Sequence, residues 1–516
     1  MTTSGLPLLS IVTFLPLVGA LVVALTKSSQ PNQARYVAFG FAVATWVVSL
    51  VMLTQFVTTT PGTQFGESAS WIPAFGINYK VGADGLSLVL VVLTTTLSAI
   101  SILASFLPIQ NRVKEYMISF LILEVGMTGV FVAQDLFLFY IFWEVVLVPM
   151  YLIIGIWGGK NRIYATIKFV LYTLVGSLLM LVAILATAYT FASSQGGSWT
   201  NAFDLQTLIA FAGAGHLNGT FGILAFGAFA LAFAIKVPMF PFHTWLPDAH
   251  VEAPTAGSVI LAGVLLKLGG YGFIRFALPL FPEAAHWWAP LIIVLSLIGI
   301  IYGAIVALVQ PDLKKLVAYS SVSHMGFVTL GIFAFNQQAL QGAILQMVNH
   351  GLITGALFLL VGVIYERTHD RTIAKMGGLG SATPVYAAAF GFFVFASVGL
   401  PGLSGFVGEF LTLLGTFAAI PAAAVVATFV MILAAGYLLW MFQRVAFGEL
   451  SEFLKGLGDH LVDMKPIEAM TLVPLGVLVV VFGLFPGLIL EVISGSVNAT
   501  LAAVQQAAPI ALGLLR

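Results

Sequence analysis

The chain has 516 residues, of which 60% are hydrophobic and only 8% are charged, and its 20 Lys+Arg balance 20 Asp+Glu. Because soluble domains have about 25% charged residues, this composition excludes a soluble multi-domain enzyme, a nucleic-acid binder and a disordered chain. The chain contains no cysteine, which excludes disulfides and cysteine-held iron–sulfur clusters within it. Apolar runs along its whole length predict an all-α polytopic membrane protein.

Runs of about 20 apolar residues, long enough to cross the hydrocarbon core, predict about 14 transmembrane helices. Spans 1 to 14 cover residues 5–26, 35–57, 84–107, 116–133, 136–157, 166–193, 221–246, 255–278, 288–309, 316–335, 340–364, 385–417, 421–444 and 472–494. A shorter apolar stretch at 203–213 is predicted to lie along the membrane surface. Asp84, which opens span 3, and Asp312, which precedes span 10, are predicted to cap these helices.

Lys and Arg residues are concentrated in alternate loops. Fifteen belong to the odd-numbered loops, whereas the even-numbered loops hold only Lys80 and Arg275, and Arg516 ends the chain. Because cytoplasmic loops are enriched in Lys and Arg, we expect the odd loops in the cytoplasm and both termini outside. The loop at 245–255 has no basic residue and is assigned to the outer side.

The predicted topology divides the chain into four segments. They are an N-terminal three-helix segment (1–110), a first five-helix repeat (111–280), a second five-helix repeat (281–450), and a cytoplasmic loop with the last span (451–516). The repeats comprise spans 4–8 and 9–13, and they must be inverted because an odd number of crossings reverses the orientation.

The fourth span of each block contains helix-breaking prolines. Span 7 contains Pro238 and Pro241, and span 12 contains Pro401. A proline inside a helix removes a backbone donor and clashes with the preceding turn, so both spans are predicted to be broken. Broken helices at corresponding positions of inverted repeats indicate the ion path of a transporter. The alternative is two coincidental proline kinks.

Seven titratable side chains fall inside the predicted spans. Burying an ionisable group at this depth costs at least about 2.5–3.5 kcal/mol, so each is a candidate for proton or ion transfer. The seven are Glu124, Glu144, Lys236, Lys267, His324, His350 and Glu409. Neutral imidazole both accepts and donates a proton near pH 7, which suits the two histidines to a relay. The alternative is structural, with an ion pair between Glu144 and Lys236 and histidines that join helices by hydrogen bonds.

Three further residues are possible accessories to this path. Glu124 is as readily structural as functional, and His243 borders the break in span 7. Asp248 either collects protons or caps span 8. No His-Glu-x-x-His motif or clustered His/Glu spacing indicates a metal site.

Five segments resemble one family, the antiporter-like subunit M of bacterial respiratory complex I, whose mitochondrial counterpart is subunit 4. These segments are Phe142–Tyr151, Trp245–His250 with Ala253–Ser258, Leu265–Lys267, Tyr319–Gly326 and Phe406–Phe410. Two features favour subunit M over its paralogues L and N. Only about 22 residues follow span 14, too few for a long lateral helix, and Glu409 stands where the paralogues typically carry lysine.

The resemblance implies a proton-translocating membrane-arm subunit of NADH:quinone oxidoreductase in the bacterial plasma membrane. It implies one proton axis through Glu144, Lys236, Lys267, the two histidines and Glu409, with cytoplasmic loading and outer release. It also implies that FMN, iron–sulfur clusters and quinone lie in other chains, and that L, N and small membrane subunits are partners. The alternatives are a chain of a multisubunit Na⁺/H⁺ antiporter, a related hydrogenase chain and a passive scaffold.

Overall fold

The N-terminal part combines helices with a β-hairpin. The computed structural model describes residues 5–505. It begins with α1 (Leu8–Leu25) and α2 (Pro31–Gln55), continues with the antiparallel strands β1 (Gln64–Ile72) and β2 (Ile77–Ala83), and reaches α3 (Gly85–Ala104). The hairpin is absent from the all-α prediction, because its short strands are polar on one side and lack a strong alternating pattern. Gly76, with φ of +64°, permits the turn between the strands.

The first predicted five-helix block contains one broken span and one span with π-helical segments. Its helices are α4 (Val113–Val132), α5 (Leu136–Val145), α6 (Leu147–Trp157), α7 (Arg162–Ser194), α8 (Leu205–Gly213), α9 (Gly219–Lys236), α10 (Trp245–Glu252), α11 (Thr255–Ile260), α12 (Leu266–Gly272) and α13 (Leu278–Leu280). Span 7 is broken between α9 and α10, as predicted. Span 8 is continuous but contains two π-helical segments at 261–265 and 273–277, on either side of α12.

The second block and the C-terminal region follow. Their helices are α14 (Pro282–Leu308), α15 (Leu313–Phe333), α16 (Gln337–Thr368), α17 (Leu379–Ala382), α18 (Pro384–Val398), α19 (Ser404–Ala419), α20 (Pro421–Ala446), α21 (Glu452–Lys455), α22 (Pro466–Leu484) and α23 (Gly487–Gln505). Span 12 is broken between α18 and α19, where Gly399 and Gly402 have φ of +87° and +93°. The four-segment division and the inverted repeat stay predictions, and Arg516 lies outside the described residues.

Within residues 5–505, fourteen helices are long and apolar enough to cross a membrane. This number agrees with the prediction, but the membership differs. The halves of span 12 are each too short to qualify, while α22 and α23 both qualify. The predicted caps are confirmed: the Asp84 carboxylate accepts the Ser87 amide at 3.0 Å, and Asp312 accepts the Lys314 amide at 2.7 Å.

The prediction that span 14 continues over 472–494 is wrong. The Leu86 amide in the first turn of α3 donates to Ser496 Oγ in α23 at 3.1 Å. His286 Nε2, in the first turn of α14, lies 3.2 Å from the Val504 carbonyl oxygen. Because α3 and α14 both begin on the side of the even-numbered loops, α23 runs along this side and covers the helix ends.

Two helical segments lie at the centre of the protein. α16 and the stretch from Thr255 to Leu280 have apolar stretches that are 100% enclosed by the rest of the chain, whereas α2 and α22 keep broad exposed faces. A helix that is apolar all round belongs in the interior. The central helices carry Lys267 and His350, so these side chains are held at the core of the molecule.

Candidate proton-transfer site

Lys267 lies at the middle of the enclosed span 8, and its side chain is completely buried. Its Nζ atom donates to the Ala262 carbonyl oxygen in the preceding π-helical segment. The same Nζ atom lies 2.7 Å from His350 Nδ1 on α16. A buried ammonium needs polar partners, and here a carbonyl oxygen and an imidazole supply them. Lys267 and His350 are therefore in direct contact for proton exchange.

His324 and Glu409 form a second contact between helices. His324 Nδ1 on α15 lies 2.6 Å from Glu409 Oε1 on α19. Gln346 on α16 donates from Nε2 to the same carboxylate oxygen at 2.9 Å. All three side chains are buried, with 4% or less of their surface exposed. Glu409 thus receives its partners from two neighbouring helices just after the break in span 12.

A short gap separates the two contacts. The ring centroids of His324 and His350 are 6.2 Å apart. A cavity of about 10 Å³ lies beside them, and its lining includes Gln346, Thr354 and Glu409. This volume is at the lower limit for one water molecule. The structure therefore brings Lys267, His350, His324 and Glu409 into one row. His350 lies next to Lys267 and His324 next to Glu409, so the order of the two histidines expected from the span order is wrong.

The predicted ion pair between Glu144 and Lys236 is not formed in this structure. Lys236 Nζ lies 5.2 Å from the ring centroid of Trp143 and 5.6 Å from that of Phe169. Glu144 is partly exposed and interacts with Tyr140, one helical turn earlier. The aromatic faces attract the ammonium group by cation–π interaction and hold it away from the carboxylate. No hydrogen bond among the described residues joins Lys236 to Lys267 either.

The structure does not bring the accessory candidates into contact with the Lys267 row. Both oxygens of Glu124 are buried and have no hydrogen-bond partner among the described residues. His243 packs against the rings of Phe240 and Tyr302, which also contact each other. Asp248 forms an ion pair with Lys168, with 2.8 Å between Oδ2 and Nζ.

The loop at 245–255 lies on the side of the basic loops, so its assignment to the outer side is wrong. The Gly159 amide donates to the Glu252 carbonyl oxygen at 2.9 Å. Lys314 Nζ donates to the Ala253 carbonyl oxygen at 2.5 Å. A basic residue outside this segment thus donates a hydrogen bond to its backbone, although the segment itself contains no Lys or Arg. By the positive-inside rule we expect this side to be cytoplasmic.

These loops enclose a polar cavity of about 520 Å³, which we call the vestibule. Its lining includes Glu252, Asp312, Lys314, Glu366 and Arg371. The vestibule opens where loops of the two five-helix blocks meet, and charged side chains of both signs reach into it. Water in the vestibule can reach the end of span 8 on this side, next to the titratable side chains that line the cavity.

His250 lies behind the vestibule and was not assigned to the path from the sequence. Its ring is fully buried and stacks on Phe358 with 4.6 Å between centroids. Both ring nitrogens lack a hydrogen-bond partner among the described residues. It interacts electrostatically with both Lys314 and Lys267. Lys314, His250 and Gln346 are therefore additions to the predicted set.

The cytoplasmic and outer ends of span 8 differ. At the outer end, Arg275 forms an ion pair with Asp84. The Tyr271 hydroxyl donates to the Phe131 carbonyl oxygen at 2.8 Å, and α23 packs over this region.

Two family descriptions match the chain. Residues 133–435 match the family described as NADH:quinone oxidoreductase/Mrp antiporter, transmembrane, and residues 35–133 match the amino terminus of NADH-ubiquinone oxidoreductase chain 4. The chain is 53% identical over 496 residues to NADH-quinone oxidoreductase subunit M of Rhodobacter capsulatus, covering 95% of each chain. It is 45% identical to NADH-ubiquinone oxidoreductase chain 4 of Chondrus crispus, covering 94% of this chain and 95% of the relative.

Solved structures show the same relationship. A chain of respiratory complex I from Thermus thermophilus with bound NADH superposes with a TM-score of 0.85 at 33% identity, covering 97% of this chain and 100% of that chain. A chain of the Mrp complex from Dietzia sp. has a TM-score of 0.80 at 23% identity, covering 96% of this chain and 51% of that chain, and shows the fold alone. The chain belongs to the family of NADH-quinone oxidoreductase subunit M, the multi-pass, antiporter-like membrane subunit of respiratory complex I.

Proposed function

We propose that protons cross this proton-pumping subunit along Lys267, His350, His324 and Glu409. The observation that carries this proposal is the contiguity of the row, with contacts of 2.7 Å and 2.6 Å at its two ends. Each member can hold and release a proton. The gap between the two imidazoles is the only step that needs a mediator, and the adjoining cavity has room for one water.

Loading takes place from the cytoplasm through the vestibule. Glu252 and Lys314 line the cavity, and His250 lies between this region and Lys267 in electrostatic contact with both lysines. Release takes place near Glu409 on the outer side, so that a proton traverses the second block between uptake and release. Both termini lie on the outer side in this arrangement, and the membrane is the bacterial plasma membrane.

Glu144 and Lys236 control this row. When Lys236 leaves the aromatic rings and approaches Glu144, the charge near Lys267 is redistributed. An ion pair at 4 Å and an effective dielectric constant of 20 is worth about 4 kcal/mol. Moving one charge against 150–200 mV costs about 3.5–4.6 kcal/mol. Because Glu144 is partly exposed, solvent screening reduces its contribution to about 1 kcal/mol, so the pair biases proton transfer along the row and does not supply the full energy by itself.

The chain performs no redox chemistry in this proposal. FMN, iron–sulfur clusters and quinone belong to other chains of the complex, since this chain has no cysteine with which to hold a cluster. The L and N antiporter-like chains and small membrane subunits are its partners in the membrane arm. The partial exposure of Glu144 supports a partner chain beside it, because exposing an ionisable group to lipid alone costs free energy.

The test is Glu409→Gln in the assembled complex. We expect NADH-driven proton pumping in membrane vesicles to fall by at least about tenfold, as for removal of a proton-transfer group. Glu491→Gln on the exposed face of α23 is the matched control and should pump normally. Pumping at the wild-type level in intact complex carrying Glu409→Gln would refute the path.

The alternative is the proton-conducting chain of a multisubunit Na⁺/H⁺ antiporter, with which the chain shares its fold and one family description. That function predicts copurification without flavin and iron–sulfur chains and growth at alkaline pH that depends on Na⁺. Copurification with NADH-oxidising chains favours the role in complex I.

A further inference from the structure

Gln346 is a buried neutral amide at the outer half of the proton row. It lies on α16 with 3% of its surface exposed. Its Nε2 atom donates to Glu409 Oε1 at 2.9 Å, the same oxygen that faces His324 Nδ1 at 2.6 Å. Burying an amide is costly unless it is hydrogen-bonded. The amide therefore has a defined partner, and that partner is the last group of the proposed path.

The chemistry of an amide makes this contact directional. A side-chain NH₂ group donates hydrogen bonds and cannot accept them. The bond therefore requires Glu409 Oε1 to act as an acceptor, which favours the carboxylate form. Rotating the amide by half a turn would place two acceptor oxygens against each other. The orientation with Nε2 towards Oε1 suits an ionised Glu409, in which both oxygens accept hydrogen bonds.

Packing fixes the amide in this position. A Cβ atom added to Gly408 would lie 2.6 Å from Gln346 Oε1 and 3.0 Å from the Gln346 Cα atom. Contacts this close cannot be accommodated without movement of α16 or α19. The bare glycine backbone thus forms a slot for the Gln346 side chain, which leaves its amide little freedom to turn away from Glu409.

We propose that Gln346 is a positioning residue that keeps Glu409 ready to accept a proton from His324. This inference rests on the proposed function. In the step concerned, the Nδ1–H bond of the His324 imidazolium breaks and an O–H bond forms on Glu409 Oε1. A cation and an anion become two neutral groups, and charge and protons balance. The amide donor stabilises the carboxylate before the transfer and favours renewed release after it.

The cavity beside the histidines supports a second contact of the same amide. Gln346 Oε1 and His350 Nε2 are both buried, and neither has a hydrogen-bond partner among residues 5–505. Both residues line the cavity of about 10 Å³. A water molecule there would find acceptors on one side and an imidazole on the other. Gln346 therefore contacts both the gap between the histidines and the terminal carboxylate.

The test compares two buried amides on α16 in the assembled complex. Gln346→Met keeps the length of the side chain but removes its donor. Asn349→Leu is the matched control, because Asn349 Nδ2 donates at 2.6 Å to the Ser404 backbone carbonyl and not to a group of the path. Pumping per NADH oxidised is measured in vesicles over a pH range, after normalisation to the amount of intact complex.

We expect Gln346→Met to move the acid limb of the pumping profile by about one pH unit towards higher pH, as for loss of one hydrogen bond to a charged group. Asn349→Leu should leave the profile in place. Gln346→Glu, which keeps the shape of the side chain and adds a second carboxylate, should move it further in the same direction. It also serves as the readout if Gln346→Met prevents assembly.

The outcomes separate the inference from the function on which it rests. If Glu409→Gln abolishes pumping and both Gln346 variants keep the wild-type profile, Gln346 has only a structural role and this inference is refuted. If Asn349→Leu moves the profile as far as Gln346→Met, the shift reports general damage to α16, with the same conclusion. If Glu409→Gln pumps normally, both the path and the role of Gln346 are refuted.

Discussion

The two broken spans differ in how their charged side chains are surrounded. Lys236, at the end of α9, faces the rings of Trp143 and Phe169 and makes no hydrogen bond to an acidic group. Glu409, on α19 after the break in span 12, is held through one oxygen by two polar side chains. Lys236 is loosely held and Glu409 is firmly held, although each lies beside a backbone interruption, Lys236 just before it and Glu409 just after it.

This difference indicates different tasks. A cation–π contact is worth about 0.5–2 kcal/mol, so Lys236 can leave it at small cost. A hydrogen bond to a charged group is worth about 1.5–3 kcal/mol, and Glu409 has two partners. Lys236 is therefore suited to move and to control the path, and Glu409 is suited to hold a proton at a fixed position along it.

The largest effect is expected for Lys267, where the path begins. Lys267→Met should reduce NADH-driven pumping by at least about tenfold, because it removes the group that passes protons to His350. The measurement is quenching of a pH-sensitive dye in inverted vesicles. Lys455→Met, at a lysine whose side chain is 50% exposed, is the control. Equal pumping by the two variants would show that Lys267 does not pass protons along the path.

A smaller effect is expected for Glu144, because it is partly exposed and separated from Lys236. Glu144→Gln should lower pumping by about fivefold, corresponding to roughly 1 kcal/mol of lost coupling. NADH oxidation and proton transfer are measured together, so that a loss of coupling is distinguished from a loss of turnover. Glu115→Gln, at a carboxylate on α4 that is 50% exposed, is the matched control. A loss of pumping as large as that of Lys267→Met would show that Glu144 itself transfers protons along the path.

The smallest effect is expected for Asp370, which lines the vestibule. Burial raises the pKa of the Asp370 carboxyl, but the hydrogen bonds from Lys375 and Thr372 and the charge of Lys375 together outweigh it and lower the pKa to about 2. The unfolded value is about 3.9, so the stabilisation is complete above about pH 4 and is lost as the pH falls through 2.

Since this pair is exposed and screened, Asp370→Asn should weaken the 368–375 loop by less than about 1 kcal/mol at pH 7. Hydrogen exchange of the Thr372 amide, which donates to Asp370 Oδ1 at 2.8 Å, measures the change. Asp459→Asn in an exposed turn is the control. A lower protection factor of the Thr372 amide in the wild type at pH 7 than at pH 2, after division by the intrinsic exchange rate at each pH, would contradict the sign of the pKa shift.

Much of the fold follows from hydrophobic run length and helix breakers. Most of the spans, the caps at Asp84 and Asp312 and the breaks in spans 7 and 12 were predictable, because each depends on a local pattern. The row from Lys267 to Glu409 was predictable because a charge inside an apolar run is rare. Its order was not predictable, because the span order places His324 before His350, whereas the contacts place His350 next to Lys267 and His324 next to Glu409.

The rest depends on contacts that local patterns do not encode. Gln346 is a neutral amide and does not stand out among apolar neighbours as a charge does. The loop at 245–255 was placed on the wrong side because Lys314 and Arg371, which serve its carbonyl groups, come from distant parts of the chain. The separation of Glu144 from Lys236 depends on two aromatic rings whose positions only the folded chain fixes.

The π-helical segment before Lys267 has a consequence for how this lysine tolerates burial. The wider turn leaves the Ala262 carbonyl oxygen available to the lysine amine, and His350 supplies a second contact. A protonated amine donates to both, and a neutral amine still donates to the carbonyl while accepting from the imidazole. Lys267 has no carboxylate in direct contact that would be left unpaired when its charge disappears. A lysine without a counterion can change its charge in place, without a compensating movement of another ionised side chain.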